Sequence, residues 1–311
     1  MKILLLGANG QLGRTFLDHG GLANRGELVA ACRDGILTGG GSGEIADLAA
    51  PASLTALLDR VRPDVIINAA AYTAVDRAEQ EPDLATRVNG EAVAVLGAWA
   101  KAHSVLVVHY STDYVFDGGQ AQPYAVDAPT APLSAYGRSK LAGEQALRES
   151  GAEHLILRTA WVYATHGHNF LRTMLRLGSE REELRVVADQ RGAPTDTTLI
   201  VRASLAALDR RQYASALQRR QLSGTHHLVA SGATTWHGFA SAIFEQAAMR
   251  GLIARKPRVI PITSADFPTP AVRPAWSLLD NTGFQRHFEF PLPDWQQGLD
   301  EVMLQLAASE R

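Results

Sequence analysis

Near its start the chain reads Lys2-Ile3-Leu4-Leu5-Leu6-Gly7-Ala8-Asn9-Gly10-Gln11-Leu12-Gly13. An apolar run that passes through three closely spaced glycines is typical of a strand that turns sharply into a helix. In dinucleotide-binding proteins one glycine makes the turn, one lets the backbone approach the pyrophosphate, and the third lets helix and strand pack closely. The helix N-terminus faces the phosphates. We therefore expect Gly7, Gly10, Gln11, Leu12 and Gly13 to form a dinucleotide site.

The spacing of these glycines carries further information. It is G-x-x-G-x-x-G rather than G-x-G-x-x-G, which favours the short-chain dehydrogenase/reductase superfamily. The loop alone leaves open the alternative of a glycine-rich turn that binds nothing.

Composition and charge exclude several classes of protein. The 311 residues suffice for one large domain and a smaller lobe, and the formal net charge of −2 predicts neither a nucleic-acid nor an anionic-membrane partner. The single cysteine, Cys32, cannot form an intrachain disulfide. We expect no signal peptide, and the sequence contains no apolar run of the about 18 residues needed to span a bilayer. We expect a cytoplasmic protein.

Strand-like and helix-like segments alternate along the first half of the chain, which predicts a parallel sheet covered on both faces. The fold class expected is α/β, a Rossmann-type doubly wound parallel sheet with a smaller C-terminal substrate-binding lobe. Strands are predicted over 2–6, 28–32, 44–48, 64–67, 105–109 and 154–157, and helices over 12–20, 53–61, 84–102 and 136–150.

The domain division follows from the change in pattern near residue 160. Residues 1–160 are predicted to form the cofactor-binding Rossmann domain, and residues 161–311 mainly the substrate-binding lobe. About 185–230 is expected to return to the Rossmann sheet, with a further strand over 226–229.

A tyrosine and a lysine four residues apart, Tyr136 and Lys140, are predicted to project from one face of a helix. A neighbouring ammonium favours the phenolate, so we expect a lowered tyrosine pKa and a better proton donor. Thr112 follows the fifth predicted strand, at the edge where open α/β sheets bind ligands. Its hydroxyl can hold a substrate carbonyl for hydride attack. A surface helix pair is the alternative for a bare Tyr-x-x-x-Lys, but the glycine loop and the order of these segments disfavour it.

Longer stretches carry a resemblance that runs nearly from end to end. They are Arg62–Ala71, Thr73–Asp76, Tyr110–Phe116, Arg158–Tyr163, Gly192–Thr195, His227–Gly232 and Pro268–Pro274. Through them the chain resembles the extended short-chain reductases, and among these the dTDP-4-dehydrorhamnose reductase family. That family reduces the C4 ketone of dTDP-4-dehydro-6-deoxy-L-mannose to dTDP-L-rhamnose with NADPH or NADH, for cell-envelope glycans.

The resemblance also implies roles for individual residues. Tyr136 would donate the proton, Lys140 would hold the nicotinamide ribose and tune Tyr136, and Thr112 would supply the catalytic hydroxyl. The glycine loop would lie at the pyrophosphate. The other implied cofactor contacts are Asp47 and Leu48 near the adenine, and Ala71, Tyr72, Thr73 and Tyr110 along the ribose and nicotinamide.

Three substrate contacts are implied in the same way, and each has a plain alternative. Asp113 would touch the sugar, or cap a loop. Trp161 would pack on the deoxysugar with its indole face, or be a core aromatic. Arg273 would clamp the substrate pyrophosphate with its guanidinium fork, or form a surface salt bridge.

The choice of cofactor depends on the end of the second strand. An acid about 20 residues after the glycine loop favours NAD(H). That place holds Cys32 and Arg33, with Asp34 one step further on. Arg33 can pair with a 2′-phosphate, so we expect NADPH to be used at least as well as NADH.

No metal site is predicted. His166-Gly167-His168 and His226-His227 lack a convincing ligand set. Some members of the resembled family form dimers bridged by magnesium through glutamates, which would fall near Thr15, Thr198 and Gln305 here. None of these is a carboxylate, so we expect a monomer that needs no divalent ion.

Two other functions stay open at this point. A related nucleotide-sugar dehydratase or epimerase would share the fold, but dehydratases resemble Thr-Asp-Glu where this chain has Thr112-Asp113-Tyr114. A non-catalytic subunit similar to the regulator of methionine adenosyltransferase would bind NADP without turnover. Intact Thr112, Tyr136 and Lys140 favour the enzyme.

Overall fold

The centre of the molecule is a seven-stranded parallel sheet. The structure, a computed structural model, describes residues 1–309. Its strands are, in chain order, β1 (Lys2–Leu6), β2 (Glu27–Cys32), β3 (Glu44–Ile45), β4 (Val65–Asn68), β5 (Leu106–Thr112), β6 (His154–Thr159), β7 (Val162–Tyr163), β8 (Glu183–Val187), β9 (Arg191–Gly192), β10 (Thr195–Asp196), β11 (Gly224–His227), β12 (Thr234–Thr235) and β13 (Arg258–Ile262). The large sheet has the order β11-β6-β5-β4-β1-β2-β3, which confirms the doubly wound α/β prediction.

Helices cover both faces of this sheet and build the second lobe. They are α1 (Gln11–His19), α2 (Ala52–Val61), α3 (Val75–Ala78), α4 (Pro82–Thr86), α5 (Ala92–His103), α6 (Ala135–Glu149), α7 (Phe170–Glu180), α8 (Thr197–Gln212), α9 (Ala216–Leu222), α10 (Trp236–Met249), α11 (Thr282–Phe288) and α12 (Trp295–Ser309). The helix predicted over 84–102 is interrupted, because a π-helical turn, Arg87–Glu91, separates α4 from α5.

The first strand shows why the sheet forms. Ile3 and Leu5 pack into one core, whereas Leu4 and Leu6 pack into the core on the opposite face. All four side chains are fully buried. Alternate residues of a strand point to opposite faces, so a strand covered on both sides must be apolar throughout.

The glycine loop needs its glycines for steric reasons. Gly7 has φ +79°, and a Cβ there would lie 2.6 Å from the Ala70 nitrogen at the end of β4. A Cβ on Gly13 would lie 2.1 Å from the Gly7 oxygen, so only glycine lets α1 start this close to β1. The turn and the close helix–strand approach are therefore as predicted.

The chain returns to the sheet after the first part of the second lobe. Strand β11 adds to β6 in parallel, at the place where a further strand was predicted. Helix α8 packs on α1, and the Thr15 and Thr197 hydroxyl oxygens lie within hydrogen-bond distance, 2.8 Å, between them. Strands β8 and β13 form a separate parallel pair in the second lobe.

The third strand is shorter than predicted. It covers only Glu44–Ile45 rather than 44–48. Asp47 leaves the ladder because its carboxylate accepts a hydrogen bond from the Ala49 N–H at 3.0 Å, which closes a turn. Within residues 1–309, none of the helices combines the length and the apolar character that crossing a membrane requires.

Candidate active site

A cleft of about 2410 Å³ runs along the carboxyl ends of the central strands and continues into the second lobe. This is well above the about 300–1,000 Å³ of an ordinary small-molecule pocket, so it has room for two large ligands. Every predicted catalytic, cofactor and substrate residue except Gly13 lines it: Gly7, Gly10, Gln11, Leu12, Arg33, Asp47, Leu48, Ala71, Tyr72, Thr73, Tyr110, Thr112, Asp113, Tyr136, Lys140, Trp161 and Arg273. Gly13 is buried, in keeping with a packing role.

The first turn of α6 places Tyr136 at the cleft. Ser134 caps the helix, since its side chain accepts from the Gly137 N–H at 3.1 Å. Gly137 lets the helix approach Tyr114, because a Cβ at position 137 would lie 2.3 Å from the carbonyl oxygen of Tyr114. The rings of Tyr114 and Tyr136 meet edge to face at 5.5 Å.

The pKa of Tyr136 is raised rather than lowered, which corrects the sequence prediction. Burial raises it to about 12, and the nearby Asp113 adds to the shift while the Thr112 hydroxyl opposes it. Tyr136 is therefore a neutral phenol, able to donate a proton, over the whole physiological range.

Lys140 lies one helical turn after Tyr136 and is only 2% exposed. Its ammonium donates to the Tyr110 carbonyl at 2.6 Å and lies 3.5 Å from His109 Nε2. Within residues 1–309 these are its hydrogen-bond partners, so its charge is directed at the main chain of β5 rather than at the phenol. Burial lowers its pKa to about 8, partly offset by Glu144.

Thr112 and Asp113 form a hydrogen-bonded pair at the end of β5. The Thr112 hydroxyl donates to Asp113 Oδ1 at 2.9 Å and accepts from the Tyr114 N–H at 3.2 Å. Asp113 is 2% exposed, and burial raises its pKa to about 6. Of the two, it is Thr112 that caps the following turn, Asp113–Val115, so the loop-cap alternative does not describe Asp113.

Two buried oxygens at the cleft have no hydrogen-bond partner among residues 1–309, namely Asp113 Oδ2 and Thr159 Oγ1. Thr159 is paired in register with Thr112 across β5 and β6, and it also lines the cleft. Buried polar groups without partners are uncommon in folded proteins, and these two mark positions where a ligand can supply the missing bond.

A buried ion pair supports the catalytic helix from below. Glu144, one turn after Lys140, is 0% exposed and pairs with Arg158 of β6, which is 3% exposed. Two hydrogen bonds of 2.8 and 2.7 Å join them. Ser111 of β5 also donates to Glu144, at 2.6 Å. Sequence reasoning missed Glu144, although its spacing from Lys140 repeats the one that places Tyr136 and Lys140 on one face.

Two asparagines hold the loop that follows β4, and the first of them, Asn68, accepts from the Ala70 N–H at 3.3 Å. Asn89, in the π-helical turn, accepts from the Tyr72 N–H at 2.9 Å and donates to the Tyr72 carbonyl at 3.0 Å and to Ser139 at 2.9 Å. Asn68 lies 3.1 Å from His109 Nδ1. Asn68 belongs to the stretch Arg62–Ala71 that carries the family resemblance, whereas Asn89 was missed, because no periodicity distinguishes it from an ordinary surface residue.

The N-terminus of α1 faces the cleft without a side-chain cap, since Gly10 is the N-cap residue. The first amides of the helix are therefore free to bind an anion. The second lobe meets this loop directly. His166 Nε2 lies 3.1 Å from the Gln11 carbonyl, and Asn169 donates to Gln11 Oε1 at 2.8 Å. His166 is thus a contact between the lobes. Residues 1–309 contain no group of three or more histidine, cysteine, aspartate or glutamate side chains suited to a metal ion.

At the end of β2 the cleft exposes Arg33, which forms no ion pair within residues 1–309. Asp34 is turned to its own loop, because its carboxylate accepts from the Ile36 N–H at 3.2 Å and its pKa is lowered by that bond. Asn9 fixes the same loop by donating to the Ile36 carbonyl at 2.7 Å and accepting from the Thr38 N–H at 2.8 Å.

Two stacked indoles form an aromatic wall of the cleft. Trp161 stacks on Trp236 with ring centroids 3.5 Å apart and planes inclined by 7°. A Cβ on Gly192 would lie 2.4 Å from the Trp161 ring, so Gly192 packs against the same indole. Trp161 lines the cleft but is partly enclosed, which leaves only part of its surface for a sugar.

Arg273 forms the ion pair that was one of its two alternatives. Its guanidinium donates to both carboxylate oxygens of Asp76, at 2.7 and 3.1 Å. The Ala271 N–H donates to the same carboxylate at 3.2 Å. The pair joins the first turn of α3 to the second lobe at the side of the cleft, where Arg273 stays within the lining.

Comparison with known proteins identifies the family. A family model described as RmlD substrate binding domain matches residues 1–308. The dTDP-4-dehydrorhamnose reductase of Burkholderia thailandensis is 46% identical over 95% of this chain and 96% of its own. The chain belongs to the RmlD substrate binding domain family.

Solved structures of the family have the same fold. The dTDP-4-dehydrorhamnose reductase of Clostridium acetobutylicum superposes with a TM-score of 0.86 at 34% identity, covering 98% of this chain and 99% of that one. The Bacillus anthracis enzyme, solved in complex with NADP, superposes with a TM-score of 0.84 at 31% identity, with the same coverage of 98% and 99%. The resemblance stated from the sequence is thereby confirmed.

Substitution of Glu144 tests whether its ion pair with Arg158 stabilises the structure beneath the cleft. We expect Glu144→Gln to lower the free energy of unfolding by about 3–5 kcal/mol, because it leaves the buried Arg158 cation without its counter-charge. Urea denaturation measures this. The matched variant Ser111→Ala removes one bond to the same carboxylate and should cost about 1.5–3 kcal/mol. Equal losses in the two variants would contradict the role given to the ion pair.

Proposed function

We propose that this protein reduces the C4 ketone of dTDP-4-dehydro-6-deoxy-L-mannose to dTDP-L-rhamnose, using NADPH or NADH. The observation that carries the proposal is the convergence of Thr112, Tyr136 and Lys140 at the carboxyl edge of the sheet, in a cleft with room for a cofactor and a nucleotide sugar. Relatives that match almost the whole chain are named for this reaction.

The nicotinamide supplies the hydride when it is bound, and this chain supplies orientation, a proton and stabilisation of charge. Tyr136 donates its proton to the oxygen of the former ketone. Thr112 holds that oxygen through its hydroxyl, which fixes the carbonyl for attack. The charge that develops there is met by neutral donors, because burial keeps Tyr136 protonated.

The structure fits a dinucleotide at the glycine loop, because the first turn of α1 has free amides and Gly10 leaves them accessible. In our proposal Gly7, Gly10, Gln11 and Leu12 bind the pyrophosphate. Lys140 binds the nicotinamide ribose, whose hydroxyls compete with the Tyr110 carbonyl for its ammonium. The remaining cofactor contacts proposed are Arg33, Asp47, Leu48, Ala71, Tyr72, Thr73 and Tyr110. The phenol of Tyr110 is 2.7 Å from Ser204, so its contribution comes from the main chain.

On the substrate side we propose that Asp113 meets the sugar, that the free part of Trp161 packs on it, and that Arg273 binds the pyrophosphate. Arg273 already presents a bidentate fork, which now holds Asp76. Phosphate oxygens have the geometry to take over that fork when the nucleotide sugar enters.

The rival functions are less well supported. A dehydratase needs a second carboxylate for elimination, and Tyr114 occupies the position after Asp113. A regulatory subunit would have no use for the aligned Thr112, Tyr136 and Lys140. Consumption of NADPH in the presence of the keto-sugar nucleotide separates the reductase from both.

Three further statements complete the proposal. Residues 1–160, with part of 185–230, form the cofactor domain, and 161–311 mainly the substrate lobe. The reaction takes place in the cytoplasm, where reduced nicotinamide cofactors are available. The enzyme is a monomer that needs no metal.

We expect Tyr136→Phe to lower kcat by about 100- to 10,000-fold, the usual contribution of a general acid, while NADPH binding changes little. Steady-state turnover and fluorescence titration of NADPH measure the two quantities. Tyr213→Phe is the matched control, because Tyr213 is 84% exposed and lies outside the cleft. Near wild-type turnover of Tyr136→Phe would exclude Tyr136 as the proton donor.

We also expect NADPH to be used at least as efficiently as NADH. Arg33→Ala should reduce kcat/KM for NADPH about tenfold or more and leave NADH nearly unchanged, since a hydrogen bond to a charged group contributes about 1.5–3 kcal/mol. Arg220→Ala removes an equally exposed arginine outside the cleft and serves as the control. A clear preference of the wild type for NADH would contradict the assignment of Arg33.

The oligomeric state is the third expectation. Thr15 is buried against Thr197, the residue that directly precedes Thr198. The side chains of Thr15, Thr198 and Gln305 carry no charge. Divalent magnesium prefers anionic oxygen ligands. Light scattering should therefore show a monomer whether or not a chelator is present, with unchanged turnover. A dimer that dissociates on chelation would show the prediction to be wrong.

A further inference from the structure

The Thr112 hydroxyl has one proton, and in this structure that proton is already used. It is donated to Asp113 Oδ1 at 2.9 Å. One lone pair of the same oxygen accepts the Tyr114 N–H at 3.2 Å. A hydroxyl donates one hydrogen bond and accepts two, so Thr112 retains an acceptor site but has no proton to offer a ketone. The proposed function requires that proton at the substrate.

The surroundings of Asp113 show how the proton can be released. The side chain is 2% exposed and Oδ2 has no partner within residues 1–309, so the carboxylate is poorly solvated. Burial raises its pKa to about 6, although the Ser277 and Thr112 hydroxyls favour the charged form. A protonated, uncharged Asp113 would instead donate a hydrogen bond through its carboxyl O–H.

The other titratable groups near Asp113 do not supply a compensating cation. The Tyr136 phenol faces it from α6, and the Tyr114 phenol from its own turn. The charge of Arg273 acts to lower the pKa of Tyr114, but the Arg273 guanidinium is hydrogen-bonded to the Asp76 carboxylate. Entry of a diphosphate substrate adds negative charge to the same cleft, which favours the neutral acid further.

We propose that Asp113 binds a proton in the productive complex and thereby directs the Thr112 hydroxyl to the substrate ketone. This inference rests on the proposed function. The neutral carboxyl group donates its O–H to the free lone pair of Thr112 Oγ1, and the Thr112 proton turns to the ketone oxygen. One proton is taken up from solvent when the substrate binds and is returned when the product leaves, so the overall reaction is unchanged. Asp113 acts through Thr112 and is a positioning residue.

The sign of the pH dependence follows directly. The active form has a neutral Asp113, which is present below its pKa of about 6 and is lost as the pH rises. The parameter kcat/KM reports groups of the free enzyme, so it should begin to fall near pH 6, by about tenfold per pH unit. Lys140, whose pKa is about 8, adds a second fall at higher pH when its ammonium is lost.

The decisive comparison is the pH profile of kcat/KM for the wild type and for Asp113→Asn. The amide cannot titrate and donates to Thr112 permanently. Its profile should lose the limb near pH 6 and keep the one near pH 8. The readout is the loss of this limb rather than the absolute kcat/KM, because Asp113 is also proposed to meet the sugar. Asp117→Asn is the control, because Asp117 is an exposed carboxylate outside the cleft lining, and its profile should match the wild type.

A second measurement does not depend on turnover. The keto-sugar nucleotide is titrated calorimetrically into the enzyme saturated with NADP⁺, which cannot deliver hydride, at pH 7.5 in buffers of different ionisation enthalpy. The wild type should take up close to one proton per site, and Asp113→Asn none. If Asp113→Asn does not fold, Asp113→Ala, which removes the competing acceptor, is expected to lose the same limb and the same proton uptake.

The outcomes separate the possible failures. A wild type without NADPH-dependent turnover of the keto-sugar would refute the proposed function itself. An active wild type whose kcat/KM is flat between pH 6 and 7.5, or an Asp113→Asn variant that retains the limb near pH 6, would overturn the role of Asp113 alone. A carboxylate that only supported the fold would change stability, or lower kcat equally at every pH, and would not move the limb.

Discussion

The active site depends on one buried carboxylate, Glu144, which joins the helix that carries Tyr136 and Lys140 to the two strands beneath it. Its partners are Arg158, Ser111 and, within the same helix, Arg148. Arg158 and Ser111 each directly precede a threonine at the cleft, Thr159 and Thr112 respectively. An unpaired charge in this position would cost several kcal/mol, so helix and strands have one stable register. The distances between the catalytic hydroxyl, the phenol and the ammonium follow from that register.

Burial then determines the protonation states above this framework. It raises the pKa values of Tyr136 and Asp113 and lowers that of Lys140, so all three are moved towards their uncharged forms. A site of this kind offers hydrogen-bond donors rather than fixed charges to a ketone. Charge that develops on the substrate oxygen is met in a water-poor environment, where such donors are most effective.

The parts of the structure that were predictable from the sequence are those encoded by local spacing. The turn at Gly7 and the close contact at Gly13 are encoded by the regular spacing of the glycines. The strand before them is encoded by its run of apolar residues. Tyr136 and Lys140 lie one helical turn apart, so their common face needs no tertiary information. The family resemblance extended these patterns to the cofactor and substrate residues, all of which line one cleft apart from Gly13.

Other features depend on residues that are distant in sequence and were therefore not predictable. Asn89 binds Tyr72 only because a π-helical turn places it there, and Trp236 covers a face of Trp161 from another element. The expected lowering of the Tyr136 pKa was wrong because Lys140 is turned to the Tyr110 carbonyl and burial dominates. Local spacing is enough to select the groups proposed to react, but it does not reveal the environment that sets their charge.

In the proposed reaction, hydride passes from the nicotinamide to C4 of a keto-sugar nucleotide bound in this cleft. This transfer is tested most directly with NADPH that carries deuterium at the transferable position of the nicotinamide, followed by NMR of the sugar product. We expect dTDP-L-rhamnose with deuterium at C4 and hydrogen at its other ring carbons. Oxidation of NADPH without deuterium at C4, or deuterium at C3 or C5, would contradict it.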